Sequence, residues 1–346
     1  MRSARRGAAT RDSTDGGKSF ASISTGWKAT LTNDAAFDSA ATPSLYVAFK
    51  EGIGVLKTQD RGKSYQHLVD PVDPTDPNAR VRTLAIAATN PQLIFAGTFT
   101  NGLFRSTNAG QSWTRSFVDT GGEEFRKQNS QIAVDPGNPN NVYFATDGVF
   151  GGLPGFYRST DGGSTFRQTA QDQYTKVAID PVNRNVIYAS GLSQLDYQEH
   201  LFKSINGGLS FTETSFLATP PDRIVVSPAA SGNVYLSAQF GVIEDSSQRH
   251  YLARSSDGGS TFAGADTGLP AVIDFALDPQ NPARLYAWTQ GGLFGSNDRG
   301  ASWTLLEGDQ TLKASQVDGI LKINPQKPNL LYLIGNSILE VEIHNF

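Results

Sequence analysis

The chain has 346 residues, 38% of them hydrophobic and only 18% charged, with a formal net charge of −4 at pH 7. That acidic balance argues against nucleic acid or an anionic membrane surface as the main partner, and no apolar run of 18 or more residues could span a bilayer. With no cysteine, disulfides, thiol catalysis and thiolate metal sites are excluded.

Residues 1–12 read as an irregular leader: Arg2, Arg5, Arg6 and Arg11 are present, but the apolar stretch of a secretory signal is not. Met1 is the only methionine, and Ser, Thr, Asn and Gly are abundant. This composition leans towards an exported protein, whether secreted, periplasmic or at the cell surface.

From residue 13 the chain is repetitive, and repetition decides architecture before any single motif does. An octet, Ser/Thr-x-Asp/Asn-x-Gly-x-x-aromatic, occurs at residues 13–20, 58–65, 106–113, 159–166, 204–211, 255–262 and 296–303. Its seven starts lie 41 to 53 residues apart. The third position (Asp15, Asp60, Asn108, Asp161, Asn206, Asp257, Asp298) supplies an oxygen that accepts from backbone N–H groups just ahead. The glycine allows the positive φ of a reversal, and the aromatic buries its ring as the next strand begins. These acids are therefore expected to form turns and not to catalyse.

A second register lies between the octets. Asp, Asn or Ser is followed eight residues later by Tyr at Asp38/Tyr46, Asp135/Tyr143, Asp180/Tyr188, Ser227/Tyr235, Asp278/Tyr286 and Asn324/Tyr332, with a shorter copy ending at Phe95. A short apolar run precedes each polar anchor and a β-rich run surrounds each tyrosine, which reads as strand, tight turn, strand. Each period thus holds four short strands, A to D, and residues 13–346 are expected to form one all-β, seven-bladed propeller of four-stranded antiparallel blades. The chain opens on an octet and ends on strands lacking one. An N-terminal strand D is therefore expected to pair with C-terminal strands A–C and close the ring, removing exposed edges.

The octets and Val-Tyr strands resemble the Asp-box, or bacterial neuraminidase repeat, propellers. Among these the sequence looks most like sortilin-type ectodomains, xyloglucan-cleaving endoglucanases and the photosystem II assembly-factor propeller. The resemblance implies the fold and leaves function open, because that turn occurs in hydrolases, receptors and assembly factors alike. The Arg-Ile-Pro string of sialidases is absent, its nearest counterpart being Arg223-Ile224-Val225. The xyloglucan enzymes carry a Gly-Gly-Ala-Tyr-Arg-Trp-like string on paired propellers. This chain has neither, so no catalytic residue carries over.

Loop lengths locate a ligand. The A–B and C–D turns are uniform and share one face, whereas the B–C and D–A connections vary and share the other, where binding loops on a rigid frame belong. Long B–C loops at residues 147–155, 191–200 and 239–250, with a D–A loop at 119–130, make a contiguous rim. Candidate ligand contacts there are Glu124, Arg126, Phe150, Tyr197, His200, Asp245, Arg249 and His250. Two readings follow. The first is a recognition or assembly module, monomeric, binding a protein segment or a polysaccharide. The alternative is a glycoside hydrolase using two of Asp147, Asp196, Glu199 and Glu244, which would need to lie about 5–5.5 Å apart for retention or about 6.5–9.5 Å for inversion. No cofactor is expected, and no metal either, since His200 and His250 lack ligand spacing. Trp288 is assigned to either core or rim.

Overall fold

In the computed structural model the described residues are 11–12, 21–22, 32–49, 54–60, 64–68, 71, 80–98, 101–118, 123–124, 130–147, 154–228, 230–238, 241–244, 249–307, 319–335 and 338–343. Strands A to D of blade 1 are Thr32–Phe37, Leu45–Phe49, Val55–Thr58 and Gln66–His67. Blade 2 has Val81–Ala87, Asn90–Thr98, Leu103–Ser106 and Thr114–Arg115, and blade 3 has Ser130–Val134, Val142–Thr146, Gly155–Ser159 and Thr165–Ala170. Blade 4 comprises Gln173–Ile179, Ile187–Leu192, Glu199–Ser204 and Thr212–Phe216. Blade 5 comprises Arg223–Val226, Val234–Ser237, Leu252–Ser255 and Ala263–Gly264. Blade 6 is Val272–Leu277, Leu285–Thr289, Gly292–Ser296 and Thr304–Glu307. Each of these six is an antiparallel sheet in sequence order.

The seventh blade holds Ile320–Asn324, Lys327–Ile334 and Ile338–Glu342 and is completed from the N-terminus. The first added strand is Arg11–Asp12, running parallel to strand C with Arg11 opposite Leu339. Ala21–Ser22, from the stretch expected to supply strand D, pairs with Arg11–Asp12 on its outer side. The ring is all-β, seven-bladed and closed by its own N-terminus.

The strand sequences follow from this geometry. A B strand is covered on both faces by neighbouring blades, so Leu45–Phe49, Val142–Thr146 and Leu285–Thr289 are buried at every position. The tyrosines eight residues after each polar anchor are at most 2% exposed. Trp288, at 1%, is a core residue between blades 6 and 7.

The turns form as their side chains dictate. In the six octets of the described residues, the first-position hydroxyl donates to the third-position oxygen at 2.7–2.9 Å. The same hydroxyl accepts from the glycine N–H, as in Gly163 N to Ser159 Oγ at 2.9 Å. The carboxyl of Asp298 is held down at about 2, chiefly by the Ser302 hydroxyl and backbone N–H. In the A–B turns, Asp135 accepts from Gly137 N and Asn138 N (2.9 and 3.2 Å), and Asp180 from Val182 N and Asn183 N (2.9 and 3.0 Å). Asp15 lies outside the described residues.

Candidate functional site

The blade 4 hairpin stands on the loop-rich face, between strands Ile187–Leu192 and Glu199–Ser204. Ser193 N donates to Gln198 O (2.9 Å) and Tyr197 N to Ser193 O (3.0 Å), closing a tight loop. The Ser193 hydroxyl accepts from Leu195 N (3.1 Å) and donates to Glu213 Oε1 (2.5 Å). His200 Nε2 lies 2.9 Å from Asp196 Oδ2, and His200 Nδ1 lies 3.9 Å from Glu213 Oε2. Asp196 Oδ1 in turn accepts from Gln198 N at 3.0 Å. The His200 hydrogen bond, more than any other cause, holds the Asp196 carboxyl below its ordinary range.

This bracing presents Leu195 and Tyr197, which are 86% and 74% exposed. Tyr197 has φ +57°. The other described non-glycine residues with positive φ, Ala109 and Arg299, occupy the fourth octet position, where four other repeats place Gly16, Gly162, Gly207 and Gly258. Their conformation is imposed by the repeat. That of Tyr197 is not, and local strain of this kind collects at functional sites.

Glu199 begins strand C and so alternates with His200, facing the opposite side of the sheet. Burial pushes its carboxyl up to about 6, with the His200 charge opposing. Its Oε2 is buried with no hydrogen-bond partner among the described residues. Asp196 Oδ2 is turned towards His200, on the side of strand C opposite Glu199.

The remaining candidates are dispersed. His250 is 5% exposed, its Nδ1 2.6 Å from Asp266 Oδ1, while Asp266 Oδ2 accepts from Tyr251 N (2.6 Å) and Leu252 N (3.2 Å). It is built into blade 5 and does not stand on the rim. Glu244 and Arg249 face each other in register across a two-stranded hairpin, Ile243–Glu244 with Arg249–His250, inside the long loop of blade 5. Glu124 lies in Glu123–Glu124, which pairs with Phe117–Val118 on the outer edge of blade 3. Phe117 is opposite Thr165, where strand D leaves its octet, so Glu124 sits at the periphery. Arg126, Phe150 and Asp245 lie outside the described residues. Among the described residues no three His, Asp or Glu side chains are grouped to hold a metal.

A charged axial cluster is what sequence reasoning missed. Ile320 stands four residues before Asn324, but four residues before the other five of the six A–B anchors strand A carries Asp34, Gln131, Lys176, Arg223 and Asp274. These side chains reach the next blade. Asp34 Oδ2 accepts from Leu84 N (2.9 Å), Gln131 Oε1 from Val177 N (3.0 Å), and Asp274 Oδ2 from Leu321 N (2.7 Å). Lys322 Nζ lies 3.7 Å from Asp34 Oδ1. Burial lowers the pKa of Lys176, against the charges of Asp222, Asp34 and Asp147, and Arg82 lowers it further. Those charges come from blades 1, 2, 3 and the entry to blade 5, and only the axis brings them to one ammonium on blade 4. Of the four candidate carboxylates, Asp147 is the one that joins this cluster. The available signal was a polar residue at a fixed register in otherwise apolar strands.

No protein-family model and no curated protein matches the chain. Among solved structures it is similar to the Niastella koreensis GH74 enzyme (19% identity, TM-score 0.63), covering 90% of this chain and 43% of that one. It is similar to YCF48 bound to D1 peptide (15%, TM-score 0.60), covering 92% of this chain and 93% of that one. It is also similar to a COPII outer-coat vertex chain (12%, TM-score 0.58; 92% and 85%). The chain spans less than half of the GH74 enzyme's length. Its structural neighbours thus include both enzymes and non-enzymatic binding or assembly proteins, and at these identities the likeness establishes the fold alone.

Proposed function

We infer that this propeller is a non-catalytic recognition or assembly module, working outside the cytoplasm, that binds an extended protein segment across its loop-rich face. The observation that carries this reading is Tyr197. A bulky ring is held in a left-handed backbone conformation and left 74% exposed beside Leu195, on a hairpin tied down by hydrogen bonds. A rigid aromatic and aliphatic pair at a loop tip is the kind of anchor that dominates protein interfaces. The axial charges give the neighbouring surface donors and acceptors for a peptide backbone or polar side chains. The full-length similarity to a propeller whose structure is described as peptide-bound supports the same class of ligand.

The test is selection from a displayed random-peptide library, followed by titration of the selected peptides. Leu195→Ala and Tyr197→Gly are expected to weaken binding at least about tenfold. Unchanged affinity in both variants would sink the reading. One observation favours the hydrolase alternative: a carboxyl held near 6, as in Glu199, suits a general acid. Reducing-end release from a polysaccharide panel, abolished by Glu199→Gln, would replace the recognition module with an enzyme.

A further inference from the structure

Blades 1 to 6 share one rule for how strand D meets strand C. The first residue after each octet's aromatic stands opposite the last residue before that octet. Gln66 is opposite Lys57, Thr212 opposite Lys203 and Thr304 opposite Gly295, and the other three blades repeat the relation. On its other side, that strand C residue stands opposite the aromatic of strand B, as Lys203 does opposite Tyr188. In blade 7 the residue opposite Tyr332 is Glu340. The first octet ends at Phe20, so the rule sets Ala21 directly opposite Glu340.

Blade 7 keeps that alignment with one strand too many. Ala21 is opposite Asp12, and Asp12 is opposite Glu340. Ser22, Arg11 and Leu339 line up in the same way. Arg11–Asp12 runs parallel to strand C and antiparallel to Ala21–Ser22, so Ala21–Ser22 already has the antiparallel sense of the other D strands. It has the right register and the right direction, and is displaced by one strand. Blade 3 also carries an extra parallel strand, Phe117–Val118, but there it lies outside strand D, which keeps its place beside strand C. The insert in blade 7 sets two acidic residues, Asp12 and Glu340, at one register, an arrangement that cross-strand pairing disfavours. Direct pairing would put Ala21 there instead.

We propose that Arg11–Asp12 is a removable strand and that blade 7 has two closed states. In the first, Arg11–Asp12 lies between strand C and Ala21–Ser22. In the second it is withdrawn, and Ala21–Ser22 moves inward by one strand spacing, about 4.8 Å, to pair with Leu339 and Glu340. The exchange needs neither a reversal of the chain nor a slip of register, and it leaves the pairing within the other six blades untouched. It gives up the pairings of two residues and regains the C–D pairing that blades 1 to 6 already have. The N-terminal arm is thus held inside a sheet in one state and released in the other, with the ring shut in both. None of this depends on what the loop-rich face binds.

The test uses the whole chain. Arg11→Pro with Asp12→Pro removes the backbone N–H groups of those residues and expels them from between two strands. The urea midpoint of this variant is expected to match the parent's, because Ala21–Ser22 then closes the blade. Were Arg11–Asp12 the strand that shuts the ring, the midpoint would fall. A cysteine pair reads the movement itself, in a chain with no cysteine of its own. With Arg11–Asp12 between them, Ala21→Cys and Glu340→Cys stand two strand spacings apart, about 10 Å, beyond the ~7 Å that a disulfide spans. Direct pairing brings their Cα atoms to about 5 Å. Oxidation of this pair is expected to be at least about tenfold faster with the two prolines than without them. Glu340 is buried, so Ser22→Cys with Leu339→Cys, at the neighbouring register, gives the same reading without altering it. A lowered midpoint in the proline variant, or oxidation at the same rate with and without the prolines, would overturn the proposal.

Discussion

Arg223 Nη1 lies 2.8 and 2.7 Å from the two carboxylate oxygens of Asp274, and also reaches Phe275 O at 2.7 Å and Leu321 O at 3.3 Å. One guanidinium from blade 5 thus holds strands A of blades 6 and 7. Around the ring successive A strands pack against each other, and the step from blade 5 to blade 6 is the loosest. The ion pair stands in for the missing packing. Removing one partner leaves a largely enclosed charge uncompensated and the Leu321 N–H without its acceptor. Asp274→Ala should therefore destabilise the fold by about 3 kcal/mol, read as a lower urea midpoint.

Gly208 separates two costs that are usually confounded. Its φ is +78°, and a Cβ there would lie 2.8 Å from Phe156 Cε1 and 3.4 Å from Ile187 Cδ1. Gly268 has nearly the same φ, +82°, with nothing within 4 Å. Gly268→Ala should cost only the left-handed penalty, about 1 kcal/mol. Gly208→Ala adds overpacking between blades 3 and 4, for about 3 kcal/mol in total. Equal midpoints for the two variants would show that the octet does not wedge between blades.

The repeat was legible because its residues act locally. Asp180 and Asp257 accept from backbone N–H groups two to four residues away, so their spacing in the sequence is their spacing in space. The axial charges were hidden for the opposite reason. Asp34 meets Leu84, Gln131 meets Val177 and Arg223 meets Asp274, each about one period apart, and every one of them is an ordinary polar residue within its own strand. His250 and Glu124 were placed on the rim by loop length alone. Length could not reveal that Asp266, sixteen residues on, would bury His250, or that Glu123–Glu124 would pair outward at the edge of blade 3. Tyr197 was legible as an exposed-loop residue, but the burial of most of His200 on strand C and its bracing by Glu213 were not, since Glu213 comes from the next strand.

Tyr197 should behave as a residue kept for its ring and not for stability. Relieving φ +57° by Tyr197→Gly removes a strain of about 1 kcal/mol and adds a comparable entropic cost. The thermal midpoint should stay level or rise slightly while peptide binding falls. A marked drop in midpoint would mean that the ring packs against the hairpin and supports the fold.

Glu199 gives the fold a pH dependence of unusual sign. Its folded pKa, about 6, lies above the ordinary 4.5 because burial disfavours the carboxylate. The folded chain therefore binds this proton more tightly than the unfolded chain does. Below about 4.5 both states are protonated and Glu199 costs nothing. As pH rises through 4.5 to 6 the unfolded state ionises first, and above 6 the folded state carries a buried, unpartnered carboxylate. At 1.36 kcal/mol for each tenfold change in proton affinity, and with the partial exposure of Glu199 screening its charge, the penalty at neutral pH is about 1 kcal/mol. Glu199→Gln removes the ionisable group, so it should be more stable than the parent by about that amount at pH 7.5, with the advantage fading as pH falls below 5. Chemical denaturation of both proteins from pH 4 to pH 8 reads this directly, and parallel stability curves would place Glu199 in contact with water or an opposite charge.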